Sequence, residues 1–243
     1  LNLNGLNALI LSSYEKLKDS KERYQGMQLN AVSGNIKLNK IDFSYDKSDF
    51  LFRNLTISIN PGQLFCISGS NGDGKTTLSK ILMGILEPRA GEVLIDGTNL
   101  NKLSLKWWKK QVSYIPQNTN ILNSSIMDNI LLGNDKLNEQ EVSRLLQTVG
   151  LDQKLKKTSL TILDPIDDNL SKGVKKKIHY ARALAQNSKI FIIDDPFGFL
   201  DNQGVQIVQK LIESLKRANK TIILFSDNDI LPNVIDENIT IGN

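Results

Sequence analysis

The chain has 243 residues, 40% of them hydrophobic and 23% charged, with a formal net charge of +4; this is material for one large domain with a packed core and excludes a disordered chain. A single cysteine, Cys66, excludes an internal disulfide framework, and no stretch reaches the ~18 consecutive apolar residues of a membrane span. The balance is only mildly basic and no Lys/Arg run is long enough to imply a nucleic-acid partner; Lys175-Lys176-Lys177 lies inside a helical pattern and reads as a solvated face.

Residues 1–26 read as a helix or linker, with Leu6, Leu9, Ile10, Tyr14 and Leu17 at helical spacing before a charged run that stops at Gly26. A main domain over 27–243 follows. Ile36 to Tyr45 alternates apolar and polar residues as a half-buried strand does, and Leu51 to Ile59 is a second strand. Pro61-Gly62 makes a tight turn into Gln63 to Ser68, a short buried strand in which Cys66 is a small core residue. Val93-Leu94-Ile95 is a strand ending in the turn Asp96-Gly97. A helix over 104–111 carries Trp107 and Trp108, one of which is expected in the core, and Val112 to Ile115 is again a buried strand.

From about residue 118 to 187 the patterns are mostly helical, as in Glu139 to Val149 and Val174 to Ala185, which predicts a helical subdomain. His179, the only histidine, falls mid-helix and reads as a packing or surface residue. Ile190 to Ile193 and Thr221 to Phe225 resume the sheet with a helix over 203–217 between them, a βαβ unit and hence parallel strands. The fold class is α/β.

Chemistry enters at Gly69-Ser70-Asn71-Gly72-Asp73-Gly74-Lys75-Thr76, which fits the phosphate-loop pattern GxxxxGK[ST] between a predicted strand and a helix that begins with Thr77-Leu78. Glycines let backbone N–H groups converge on phosphate oxygens, and a helix N-terminus adds partial positive charge. Lys75 is suited to the outer phosphates and the Thr76 hydroxyl to Mg²⁺. A second element supports the first. Ile190-Phe191-Ile192-Ile193 runs into Asp194-Asp195-Pro196, so a buried strand delivers carboxylates to the sheet edge where ligands bind, and Asp194 is a candidate for holding Mg²⁺ beside Thr76.

With these pieces in order, residues 27–243 resemble the nucleotide-binding domain of an ABC transporter. Tyr45 matches the aromatic residue that stacks on adenine. Gly69 to Thr77 is the phosphate loop, and Gln117 matches the Q-loop glutamine, a catalytic and Mg²⁺-contacting position. Leu170-Ser171-Lys172-Gly173-Val174 stands where the LSGGQ signature stands, Asp194 is the Walker B aspartate, and Leu200-Asp201 ends the D-loop. Ile121 to Ile130 resembles the exporter pattern xLFSGTIxENI, and residues 1–26 then look like the connection from a final transmembrane helix.

The resemblance implies a P-loop NTPase core with a mostly parallel sheet, an antiparallel β subdomain and a helical, signature-bearing subdomain. It implies ATP and Mg²⁺ as ligands and a head-to-tail dimer with a second nucleotide-binding domain. In that dimer Ser171 and Gly173 touch the phosphate held by the partner. It also implies a transmembrane domain fused upstream, and a place at the cytoplasmic face of the inner membrane.

Four departures from the family pattern predict slow hydrolysis. Asp195 replaces the usual glutamate after Walker B, and Asp227 takes the place of the switch histidine. Lys172 and Val174 replace a glycine and the glutamine of the signature, and Asp164-Pro165-Ile166-Asp167-Asp168 replaces the Gly-rich segment ahead of it. Across a homodimer, Lys172 of one chain faces the site holding Asp227 of the other, so a compensating charge pair stands beside independent drift as a reading. The leading expectation is a weakly hydrolysing ABC motor with Asp195, Gln117, Lys75 and Asp227 as its catalytic positions. A binding-only partner in a transporter dimer and a soluble ABC-type ATPase stay open beside it.

Overall fold

A computed structural model describes residues 26–46, 49–152, 170–226 and 233–242. Two sheets carry the chain. The first is antiparallel, in the order β2-β1-β4-β5, built from β1 (Ile36–Phe43), β2 (Phe52–Ile59), β4 (Ala90–Ile95) and β5 (Thr98–Asn99). The second holds β3 (Leu64–Ser68), β6 (Val112–Ile115), β7 (Ile190–Asp194), β8 (Thr221–Ser226) and β9 (Glu237–Thr240), in the order β6-β7-β8-β3-β9. Every pairing in it is parallel. The helices are α1 (Lys75–Leu82), α2 (Leu105–Gln111), α3 (Ile126–Leu131), α4 (Glu139–Thr148), α5 (Lys172–Gln186) and α6 (Asn202–Arg217). Among the described residues no helix is long and apolar enough to cross a membrane.

The central strands β3, β7 and β8 are buried at every position. Continuous apolar runs are what a parallel sheet covered on both faces requires. Alternate residues of these strands serve two different cores. Phe65, Ile67, Ile190, Ile192, Ile223 and Phe225 face one built with β1, β2, α1 and Trp108. Leu64, Cys66, Phe191, Ile193, Ile222 and Leu224 face the other, built with α4, α5 and α6. Trp108 is wholly buried and donates its indole N–H to the Leu82 carbonyl at 3.0 Å, while Trp107 is only partly covered.

The reading of Lys175-Lys176-Lys177 as a solvated face is corrected. Lys176 is 0% and Lys177 4% exposed. The helix bearing them is enclosed by α3, α4 and β6, so a face that carries charge in the sequence still lies inside. His179 is 5% exposed, with Nε2 at 3.1 Å from the Asn120 carbonyl, and is a packing residue as expected. The predicted N-terminal helix or linker, the segment Asp164 to Asp168 and the switch position Asp227 lie outside the described residues.

Candidate functional site

At the C-terminal edge of the parallel sheet, a cleft of about 200 Å³ is lined by Asn71, Gly72, Gly74, Lys75, Thr76, Thr77, Gln117, Asp194, Asp195, Phe225 and Ser226. Residues distant in the sequence meet there because β3, β8 and β7 are neighbours and all point the same way. This is where open α/β sheets hold ligands.

The loop between β3 and α1 is shaped for an anion. Gly74 caps α1 with φ 96°, in the left-handed region. A Cβ there would stand 2.6 Å from Phe52 Cζ, so both conformation and space demand glycine. No side chain caps this helix. A helix N-terminus carries the positive end of the helix dipole, which suits an anion. Lys75 Nζ spans the loop, donating to the Gly69 carbonyl at 2.6 Å and the Ser70 carbonyl at 2.8 Å.

Asp73 has a different part from its loop neighbours. Its Oδ2 accepts the Ser70 N–H at 2.6 Å and packs beside Gly242. The side chain braces the loop from within and does not line the cleft. Gly69 closes the loop's other end, where a Cβ would meet the Ile241 carbonyl at 2.6 Å.

Asp194 is 3% exposed. Burial pushes its carboxyl above the ordinary carboxylate range, against the pull of a hydrogen bond from Thr76 and the nearby Lys176 ammonium. Its Oδ2 is enclosed and has no hydrogen-bond partner among the described residues. An enclosed, unpaired carboxylate oxygen is costly unless something satisfies it. Beside the Thr76 hydroxyl it offers hard oxygen donors of the kind Mg²⁺ takes, so the residues present fit that ion. Gln117 enters the same cleft from the end of β6.

Asp195 lines the cleft but is held back by its own turn. Its backbone is left-handed, φ 53°, and its Oδ1 accepts the Gly198 N–H at 3.1 Å. Tyr45 stands at the cleft's margin. Its hydroxyl lies 2.9 Å from Thr77 Oγ1, and its ring, 62% exposed, meets Phe43 edge-on at 5.1 Å.

Ser171 caps α5, its Oγ accepting the Val174 N–H at 3.3 Å. Gly173 packs so tightly on the turn after β7 that a Cβ would sit 2.6 Å from the Phe199 carbonyl. Neither Ser171 nor Gly173 lines the cleft of its own chain. Lys172 lays its ammonium 4.6 Å from the centre of the Phe199 ring, so its charge has a partner within the chain.

Sequence reasoning missed Lys176. Its ammonium donates to the Pro116 carbonyl at 2.9 Å and the Asp194 carbonyl at 3.0 Å. Burial pulls its pKa down to about 8, against the attraction of Asp195 and Asp194. A lysine within a basic run carries no signal of its own; only the packing of α5 against the ends of β6 and β7 reveals it.

Comparison with known proteins agrees with this geometry. The family described as ABC transporter matches residues 52–198, more than half of the chain. The chain belongs to the ABC transporter family. It is 30% identical over 212 residues to ABC transporter B family member 14 of Arabidopsis thaliana, a match covering 86% of this chain and 17% of that protein. It is 28% identical over 218 residues to an ATP-dependent lipid A-core flippase of Syntrophus aciditrophicus (strain SB), covering 88% of this chain and 36% of that protein. The ABC chain thus spans only a minor part of the relatives it matches. A solved structure of a bacterial Atm1-family ABC exporter with ATP bound shares the fold, with a TM-score of 0.80 at 21% identity, over 89% of this chain and 38% of that one. The α/β architecture with one parallel and one antiparallel sheet is the ABC nucleotide-binding fold.

Proposed function

We propose that this ABC domain binds ATP with Mg²⁺, hydrolyses it slowly and drives export across a membrane. The observation that carries the reading is the meeting of an uncapped helix N-terminus, Lys75, Thr76 and the unpaired Oδ2 of buried Asp194 in one cleft. Lys75 and the N–H groups of α1 hold the phosphate tail by charge-assisted hydrogen bonds. Thr76 and Asp194, with Gln117 beside them, hold Mg²⁺, which when bound neutralises charge on the phosphate oxygens. Tyr45 offers its exposed ring to the base. Asp195 orients the attacking water, and the bond it makes within its own turn supports slow turnover.

The same reading supplies the partners. Ser171 and Gly173 are directed to the phosphate of a second ABC nucleotide-binding domain, packed head to tail. Asp227 stands at the switch position, and residues 1–26 connect to a transmembrane domain upstream, at the cytoplasmic face of the inner membrane. Support comes from the exporter and flippase relatives, whose further length accommodates such a domain. Calorimetric titration with ATP tests the core of the proposal. Uptake is expected to strengthen with Mg²⁺ and to be lost in Lys75→Ala; Mg²⁺-independent uptake, or uptake untouched by Lys75→Ala, overturns it.

A further inference from the structure

Strands β6 and β7 run in register from Val112 opposite Ile190 to Ile115 opposite Ile193. The paired register ends there, one residue short of Pro116 and Asp194. The two strand ends border the cleft there, one leading to Gln117 and the other ending at Asp194. At this fork the Lys176 ammonium donates to two carbonyls, Pro116 O at 2.9 Å and Asp194 O at 3.0 Å. A side chain from α5 thereby ties the two strand ends together.

Lysine is a costly choice for that purpose. Its side chain is wholly buried, and an apolar residue of similar volume would fill the space without desolvating a charge. What an apolar residue lacks is a set of donors for two carbonyls at once and a positive charge behind the adjacent carboxylates Asp194 and Asp195. Among the described residues the acids that attract this charge are Asp195 and Asp194; its neighbour Lys177 donates to the Gly150 carbonyl at 3.3 Å, and His179, one turn on, lies 3.1 Å from the Asn120 carbonyl.

We propose that Lys176 is a positioning residue for the metal end of the nucleotide site. It fixes the separation of Gln117 from Asp194 across the fork between β6 and β7, and it ties both to the helix headed by Ser171. The inference rests on the MgATP reading above. It concerns no contact with nucleotide, since the ammonium lies behind the strand ends.

The test compares the parent chain with Lys176→Met and Lys176→Gln, titrating a non-hydrolysable ATP analogue by calorimetry in MgCl₂ and in EDTA, with a thermal melt of each protein. Met keeps volume and removes donors and charge; Gln restores an amide donor. In EDTA, affinity is expected to stay within about twofold of the parent. In MgCl₂ the gain conferred by the metal is expected to fall about tenfold or more in Lys176→Met, as for lost outer-shell support of a metal site, and to recover in part in Lys176→Gln. Equal weakening with and without Mg²⁺, or an unchanged gain, reduces Lys176 to a core residue and overturns the proposal. Should Lys176→Met not fold, the same two titrations on Lys176→Gln decide it, with a smaller loss of the Mg²⁺ gain expected. If the parent itself shows no Mg²⁺-dependent uptake, the MgATP reading fails first, an outcome distinct from a parent that binds and variants that match it.

Discussion

Lengthening Asp195 by one methylene is expected to speed the enzyme and weaken the fold at the same time. In the native turn, Asp195 Oδ1 accepts the Gly198 N–H at 3.1 Å, and the two groups approach closely enough that a Cβ on residue 198 would lie 2.0 Å from Oδ2. The carboxylate is thereby retained near its own backbone. The substitution Asp195→Glu would carry the carboxylate ~1.5 Å further toward the attacking water, and a misplacement near 1 Å costs ~100-fold in rate. Turnover is expected to rise by up to about 100-fold, equivalent to ~2.7 kcal/mol of barrier. The loss of the turn's hydrogen bond costs about 1 kcal/mol, and a longer side chain tolerates φ 53° less well than aspartate does. Together these should lower Tm by about 3–5 °C in a chain of this size. Steady-state ATP turnover and a thermal melt of parent and variant check both halves. Equal or lower turnover in Asp195→Glu refutes the idea that carboxylate reach limits the chemistry.

His179 is held neutral, its pKa taken from 6.5 to about 4 chiefly by burial and then by Arg182, so below pH 6.5 the unfolded chain takes up a proton that the folded chain refuses. Its contribution is intact above pH 6.5 and is lost as pH falls toward 4, by about 3 kcal/mol in all; denaturant melts between pH 7 and 4 should show an acid limb that is shallower in His179→Leu. Gly74→Ala forces a side chain to φ 96° and against Phe52, with an expected loss of about 5 °C in Tm and of ATP uptake in calorimetry. Lys172→Ala and Phe199→Ala should couple by about 0.5 kcal/mol in a double-mutant cycle of denaturant stability, the size of an exposed cation–π pair; strict additivity would deny the contact any energy.

Much of the fold was legible because burial on both faces leaves an unambiguous trace. Ile190 to Ile193 and Thr221 to Phe225 are apolar almost without interruption, and the observed strands depart from those limits by a single residue at the C-terminal end. The phosphate loop was equally plain, since Gly74 is required by both φ and contact. β9 was not legible: Glu237-Asn238-Ile239-Thr240 shows one apolar residue, and it is a strand because β3 offers it a parallel edge. Lys176 was misread for a related reason. Helical periodicity assigns charges to the outside, but a helix covered on several sides has no outside at that point, and the two carbonyls that repay the burial belong to residues distant in sequence. The adjacency of Asp194 and Asp195 was visible; the left-handed backbone that separates their tasks was not.

Two of the departures from the family pattern, Lys172 and Asp195, look independent along the sequence and are linked in space through one turn. Lys172, in place of the first signature glycine, rests on Phe199. Phe199, at φ 66° and half exposed, turns its carbonyl onto Gly173, whose lack of Cβ admits it. One residue earlier, Gly198 lies under the Asp195 carboxylate and donates to it. The start of α5 and the turn after β7 therefore form a single packed unit that runs from Lys172 to Asp195. Lys172 finds its partner within its own chain, and this weakens the case for a charge pair with Asp227 across a dimer. A lysine already engaged at 4.6 Å must give up that contact to reach a neighbouring site. Asp195→Glu releases the Gly198 bond but leaves the contact of Lys172 with Phe199 in place, whereas changing Lys172 removes that contact and leaves the Gly198 bond to Asp195 intact.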